Sequence, residues 1–146
     1  EVLCQKKNLA IRTDLPDEPL IVCADMGRIQ QVLYNLIDNA IKFSPAGKEI
    51  LVSVHERKKL VFVSVKDFGE GISKKNLPKI WERFYKTDVS RGRDKKGIGL
   101  GLSIVREIIR AHSQNINVIS TEGVGTEFIF TLATPERSNP HRRDGR

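Results

Sequence analysis

The 146-residue chain is predicted to fold as a two-layer α/β sandwich, a mixed sheet covered on one face by helices. Three observations predict it. Two stretches, Ile29–Ile41 and Leu102–Ala111, carry apolar residues at helical spacing. Six short stretches have strand character, and a long, charged, glycine-rich segment between Asp67 and Gly101 parts the chain into halves. The resulting order is β-β-α-β-β-loop-α-β-β, with no internal repeat and no low-complexity tract.

The elements follow in order. Residues 8–15 and 20–24 read as strands flanking the turn-prone run Pro16-Asp17-Glu18-Pro19. Asp25 is a suitable N-cap for the next helix, whose stripe is Ile29, Val32, Leu33, Leu36, Ile37, Ala40 and Ile41. Ser44-Pro45-Ala46-Gly47 stops it, because the residue before proline avoids helical backbone and glycine favours a turn. Glu49–His55 and Leu60–Lys66 are expected strands joined by a polar link. In the second, Val61, Val63 and Val65 alternate with Phe62 and Ser64. A short helix is expected at Leu77–Phe84, and a long one carries Ile104, Val105, Ile108 and Ile109 on one side. Strands Ile116–Ser120 and Thr126–Leu132 flank Gly123-Val124-Gly125. The domain is placed at residues 1–135, and 136–146 are expected to be a basic, flexible tail.

Composition narrows the function. With 39% hydrophobic and 29% charged residues, the chain has the balance of a globular protein with a core. No run reaches the roughly 18 apolar residues of a membrane span, and the N-terminus lacks a signal-peptide pattern. A start at Glu1 without methionine reads as a fragment of a longer chain. Cys4 and Cys23 match no metal-ligand spacing; Cys23, inside Leu20-Ile21-Val22-Cys23, is expected to be a buried, inert thiol. A cytoplasmic setting is expected. The net charge of +7 invites a nucleic-acid reading. However, the positive charge gathers at Lys86, Arg91, Arg93, Lys95 and Lys96 and in the tail, without a recognition helix or base-stacking motif. Nucleic acid is therefore set aside. A basic loop beside a glycine-rich segment serves a nucleoside triphosphate equally well.

Three motifs carry chemistry. Gln31, Asn35, Asn39 and Lys42 line one edge of the first helix's apolar stripe, where an amide oxygen can ligate a hard cation and a lysine can meet phosphate, although a polar flank is the simpler account of the pattern alone. Asp67-Phe68-Gly69-Glu70-Gly71-Ile72 follows a buried strand, where a carboxylate can accept from an exocyclic amino group and glycines can turn sharply. A turn would also account for it. The protein-kinase reading of Asp-Phe-Gly fails, for neither the phosphate loop nor the catalytic loop of that fold is present. Gly97-Ile98-Gly99-Leu100-Gly101-Leu102 opens the last long helix, where free amides suit phosphate; its spacing is neither a dinucleotide fingerprint nor a Walker loop.

In this order the motifs resemble the catalytic, ATP-binding domain of bacterial sensor histidine kinases, within the superfamily shared with gyrase and a heat-shock chaperone. NLIDNAIKFSP is similar to the family's asparagine motif, DFGEGI to its first glycine motif, GIGLGLSIVREII to its second, WERFY to its phenylalanine motif and TEGVGTEFIFTL to its last hairpin. The resemblance spans about residues 8–135. It implies a Bergerat-type fold, with a mostly antiparallel five-stranded sheet and about three helices on one face. It also implies Mg²⁺ and ATP as cofactors. Asn39 would ligate the Mg²⁺, with Asn35 supporting it, Lys42 near the phosphates and Phe43 at the nucleotide's edge. Asp67 would hold the adenine amino group, with Thr126 beneath it through a water and Gly69, Gly71 and Ile72 lining the base. Residues 86–98 would form a lid anchored by Phe84, with Lys86 facing the phosphates. Gly97, Gly99, Leu100, Gly101 and Leu102 would present backbone to them.

The implied activity is transfer of the γ-phosphoryl group to a histidine on a separate phosphoacceptor and dimerisation domain of the same parent kinase. That parent would be a homodimer, anchored in the cell membrane in some architectures, serving a response regulator. Hydrolytic members carry a glutamate general base four residues before the Mg²⁺-binding asparagine. This chain has Asn35 there, and an amide cannot take a proton at neutral pH. The family's usual His-Gly-Gly is replaced by His112-Ser113-Gln114, and His112 is expected to end its helix. His55, His112 and His141 lack the surroundings of a phosphoacceptor. The alternatives are a serine kinase or ATPase of the same superfamily, and a non-enzymatic nucleotide-binding module.

Overall fold

A computed structural model describes residues 8–82 and 95–138, with side chains for 8–82 and 101–136. The elements are β1 (Ala10–Asp14), α1 (Met26–Phe43), β2 (Glu49–Arg57), β3 (Leu60–Asp67), a 3-10 turn at Leu77–Lys79, α2 (Lys95–Ala111), β4 (Ile116–Thr121), β5 (Gly125–Ala133) and a single helical turn, α3 (Pro135–Ser138). The five strands lie in the order β1-β2-β3-β5-β4. Only β1 pairs parallel to its neighbour; the other three pairings are antiparallel. The expected five-stranded, mostly antiparallel sandwich is what forms, with two helices on its face among the described residues where about three were expected.

Register sorts the side chains. Val61, Val63, Val65 and Asp67 of β3 face the same side as Thr126, Phe128, Phe130 and Leu132 of β5. Against this face α1 lays Ile29, Val32, Leu36, Ala40 and Ile41, and α2 lays Leu102, Val105, Ile108 and Ile109, in one continuous core. Each fully buried branched or aromatic side chain contributes roughly 1.5–3 kcal/mol on removal from water. This helical layer fixes the sandwich.

Local chemistry sets the ends of α1. The Asp25 carboxylate accepts from the Arg28 N–H at 3.2 Å, the expected N-cap. Ser44 ends the helix, and its Oγ donates to the Ala40 carbonyl at 2.6 Å. At the far end of α2, His112 Nδ1 lies 2.8 Å from the Ile108 carbonyl and Nε2 accepts from the Asp25 N–H at 3.0 Å. The Nδ1–H tautomer satisfies both contacts, so the C-terminus of α2 is tied to the start of α1. His112 ends its helix as expected.

Several boundaries differ from the sequence reading. Residues 20–24 do not form a strand; a single bridge joins Cys23 to Ala133. Cys23 is exposed, not buried, because the apolar run around it lies along the sheet edge rather than inside. Within the span expected as a helix from Leu77, the structure has a 3-10 turn ending at Lys79, and residues 83–84 lie outside the described set. The tail begins with a helical turn, in which Glu136 pairs with Lys59 at 3.8 Å; residues 139–146 lie outside the described set.

Candidate functional site

Strand β3 delivers Asp67 to the core-facing side of the sheet because the alternation of Val61, Val63 and Val65 continues into it. Its carboxylate is therefore buried, only 7% exposed. Burial pushes the carboxyl above its ordinary value of 3.8, opposed in part by backbone N–H bonds from Gly69 and Thr126. The Gly69 bond is 2.9 Å to Oδ1. Thr126 is the register partner of Asp67 across β3 and β5. The two residues expected to act together do meet.

The loop after Asp67 is laid against the β4–β5 hairpin. The Gly123 N–H donates to the Glu70 carbonyl at 2.6 Å, and the Ile72 N–H donates to Ser120 Oγ at 2.7 Å. Gly71 has φ +77, and a Cβ there would stand 2.2 Å from the Thr121 carbonyl oxygen. A Cβ on Gly69 would stand 2.3 Å from the Phe43 carbonyl oxygen. The sequence reading gave these glycines to a sharp turn, which Gly71 makes, and, by resemblance, to lining the base. In the structure, the contact that demands them is with the protein's own backbone.

On α1, Asn35, Asn39 and Phe43 are spaced by four and line one face. At one end Asn35 packs on Gly101 of α2, with its Cγ 3.7 Å from where a Cβ would lie. At the other, the Phe43 carbonyl abuts Gly69. The row is about 12 Å long at 1.5 Å per residue. It links the N-terminal half of α2 to the Asp67 loop. All three side chains are half-buried. Lys42 Nζ sits 3.1 Å from Asp38 Oδ2. Gln31, expected in the same row, is exposed and lines a different groove of about 590 Å³ with Asp25, Arg28, Glu107 and His112.

Two expectations on α2 are corrected. The helix begins at Lys95, so residues 95–98 belong to it and not to a lid. Within a helix only the first three residues keep free N–H groups, as in α1, where the fourth, Ile29, already donates to the Asp25 carbonyl; in α2 these are residues 95–97. Gly97 is among them; the amides of Gly99 and Gly101 lie inside the hydrogen-bonded ladder. The apolar periodicity that buries Leu102, Val105 and Ile109 propagates the helix back through the glycines. Leu102 itself is 4% exposed and packs in the core. Phe84, Lys86 and the rest of the expected lid to residue 94 lie outside the described residues, as does the side chain of Leu100.

Of the WERFY motif, Trp81 is described. Its ring meets Phe128 edge-on at 5.9 Å, and the Arg106 guanidinium lies 5.5 Å above it. Ser120 was missed by the sequence reading. It bonds to Ile72, to the Gly125 carbonyl at 3.1 Å and to Thr126 Oγ1 at 2.8 Å. Its signal was the alternation of Ile116, Val118 and Ser120, which puts a hydroxyl on the core face of β4. Among the described residues no group of three histidines, cysteines or carboxylates could hold a metal.

Residues 24–136 match the family described as histidine kinase-, DNA gyrase B-, and HSP90-like ATPase. The chain belongs to that family. Among other members, the sensor histidine kinase WalK of Bacillus subtilis is 42% identical over 136 residues, 92% of this chain and 22% of that protein. The sensor protein SrrB of Staphylococcus aureus is 45% identical over 112 residues, 77% of this chain and 19% of that protein. The chain thus spans about a fifth of the length of these relatives. Among solved structures, the catalytic domain of the histidine kinase ThkA superposes with a TM-score of 0.76 at 34% identity, covering 90% of this chain and 84% of that one. Full-length ShkA in complex with AMPPNP superposes with a TM-score of 0.78 at 30% identity, covering 91% of this chain and 27% of that one. The ATPase-family sandwich and the sensor-kinase kinship expected from the motifs hold. No helix among the described residues is long and apolar enough to cross a membrane.

Proposed function

We propose that this ATPase-family domain binds Mg-ATP along the Asn35–Asn39–Phe43 row and donates the γ-phosphoryl group to a histidine outside residues 1–146. The acceptor would stand on a helical phosphoacceptor and dimerisation domain of the same parent, a homodimeric sensor kinase that serves a response regulator. The observation that carries the reading is the buried Asp67 carboxylate, held by backbone donors at the end of the row and facing Thr126. A buried anion needs donors from whatever occupies the site, and a 6-amino purine supplies them. The row's other end meets α2 at Gly101, within two turns of the helix's first residues, whose free amides and positive dipole end favour phosphate.

Magnesium suits the donors available. The Asn39 amide offers one hard oxygen, and without a carboxylate cluster among the described residues the phosphates themselves would be the cation's other anionic ligands. When bound, the ion neutralises phosphate charge. The protein's share is to orient the nucleotide and hold Asn39 toward it from α1. Asn35 decides the fate of the phosphoryl group. A glutamate there would deprotonate water, whereas the amide leaves water unactivated, so transfer waits for a better nucleophile.

The test uses labelled ATP with the 146-residue chain alone and then with the parent's helical hairpin. The chain alone should bind nucleotide, hydrolyse it slowly and not label itself. With the hairpin, an acid-labile, base-stable phosphohistidine should form, and Asn39→Ala should abolish it. Brisk hydrolysis or self-labelling by the chain alone would overturn the proposal. Asp67→Asn should weaken ATP binding about 10- to 150-fold, the consequence of losing a charge-assisted hydrogen bond of about 1.5–3 kcal/mol.

A further inference from the structure

The hydroxyl of Ser120 has three partners and one proton. It accepts from the Ile72 N–H at 2.7 Å, lies 3.1 Å from the Gly125 carbonyl oxygen, and lies 2.8 Å from Thr126 Oγ1. A carbonyl oxygen can only accept, so the Gly125 contact needs the Ser120 proton. The Thr126 contact must then use the proton of Thr126. This assignment fills the one donor and two acceptor positions of a serine hydroxyl and satisfies all three contacts. The opposite assignment, with Ser120 donating to Thr126, leaves the Gly125 contact without a hydrogen. Thr126 is 7% exposed, so water competes poorly for its hydroxyl.

We infer that Ser120 is a positioning residue that turns the Thr126 proton away from the cleft and so sets which purine the site accepts. This inference rests on the reading of Asp67 and Thr126 as the base end of the site. With its proton committed to Ser120, Thr126 shows only lone pairs to a ligand. Ionised Asp67 also offers only acceptors. The wall then matches the donor hydrogens of a 6-amino purine and sets lone pair against lone pair for a 6-oxo purine. A site whose polar groups are left unpaired by the wrong ligand rejects it strongly. Ser120 lies 48 residues from Ile72 in sequence, and the same hydroxyl pins the base loop to the hairpin.

The experiment compares displacement of a fluorescent nucleotide from the 146-residue chain by ATP and by inosine triphosphate, which exchanges the 6-amino group for an oxo group. Ser120→Ala releases the Thr126 proton, and the ATP-to-ITP affinity ratio should narrow about tenfold, with ITP gaining. Ser120→Thr, which keeps the hydroxyl, should restore the ratio. Thr126→Val keeps the branched shape without a hydroxyl and should narrow the ratio by itself; adding Ser120→Ala to it should change the ratio no further. A role confined to loop stability would lower both affinities together and leave the ratio untouched, and that result overturns the inference. So does an equal narrowing by Ser120→Ala in the Thr126→Val background. Asp67→Asn serves as the separate control. If it binds ATP like the wild type, the base-site reading itself is wrong; if it binds weakly while the Ser120 variants keep the ratio, only the inference fails. Should Ser120→Ala not fold, the Thr126→Val and Ser120→Thr ratios decide alone.

Discussion

Replacing Gly71 by alanine should damage the protein in a way that two other glycines can calibrate. Gly47, Gly71 and Gly123 share the left-handed region, with φ of +83, +77 and +82. An alanine pays about 1–2 kcal/mol for that conformation, whatever surrounds it. At Gly47 and Gly123 a Cβ would meet nothing within 4 Å, so that cost is the whole effect. At Gly71 the same Cβ would stand 2.2 Å from the Thr121 carbonyl oxygen, 2.8 Å from its carbon and 3.0 Å from the Glu122 Cα. All three are backbone atoms and cannot rotate aside. The loop must lift by about 1 Å to reach ordinary contact, and two bonds then stretch: Gly123 N–H to Glu70 at 2.6 Å and Ile72 N–H to Ser120 at 2.7 Å. At about 0.5–1.5 kcal/mol each, their loss brings Gly71→Ala to about 2–5 kcal/mol. Urea unfolding of the Gly47, Gly71 and Gly123 alanine variants measures the difference directly. Nucleotide affinity should fall in the Gly71 variant alone. If Gly71→Ala lies within about 0.5 kcal/mol of Gly47→Ala, the close approach of loop and hairpin is not what requires glycine, and the reasoning fails.

Three more outcomes are expected, two at Asp67 and one at the β2–β3 turn. Because burial raises the pKa of Asp67 above 3.8, adenosine affinity should drop on acidification at a higher pH than an ordinary carboxylate would give, and Asp67→Asn should flatten that profile. The sign for stability is opposite. A raised carboxyl pKa adds stability that is complete below 3.8 and is lost as pH rises through the raised value, so Asp67→Asn should make the pH dependence of urea unfolding less steep across that window. Lys58 and Lys59 turn the β2–β3 hairpin with φ of +54 and +66, a conformation that Asn-Gly adopts at lower cost. The double replacement should add about 1 kcal/mol and raise the melting temperature by about 3 °C in a calorimetric scan, and an unchanged or lower value would count against a strained turn.

The sandwich was legible because its core obeys two simple periods. The stripe from Ile29 to Ile41 and the alternation from Val61 to Val65 each name a buried face without knowledge of the other. The pairing of Asp67 with Thr126 came from family motifs, and the register explains it: both end a run of alternating core positions. Cys23 was misjudged because an apolar run is ambiguous between an inner strand and an edge, and only tertiary pairing decides between them. The start of α2 was placed too late because glycines read as loop, whereas the packing of Leu102 and Val105 outweighs their poor helix propensity. Ser120 was missed for another reason. Its alternation with Ile116 and Val118 puts it on the core face, but the role of its hydroxyl depends on the Ile72 N–H, brought from 48 residues away.

The seam between the base loop and the hairpin also has a kinetic meaning. Its contacts join segments 48 residues apart, while the β2–β3 and β4–β5 hairpins close locally. Local hairpins can form early, but the seam must await closure of the long intervening loop, which costs more chain entropy. During synthesis, β3 leaves the ribosome with its Asp67 well before β5 exists to cover it. A nascent chain stopped anywhere before Thr126 would hold every helix residue of the α1 row and still lack the Asp67–Thr126 pair. On the proposed reading, nucleotide capture is therefore acquired in one step, when β5 docks.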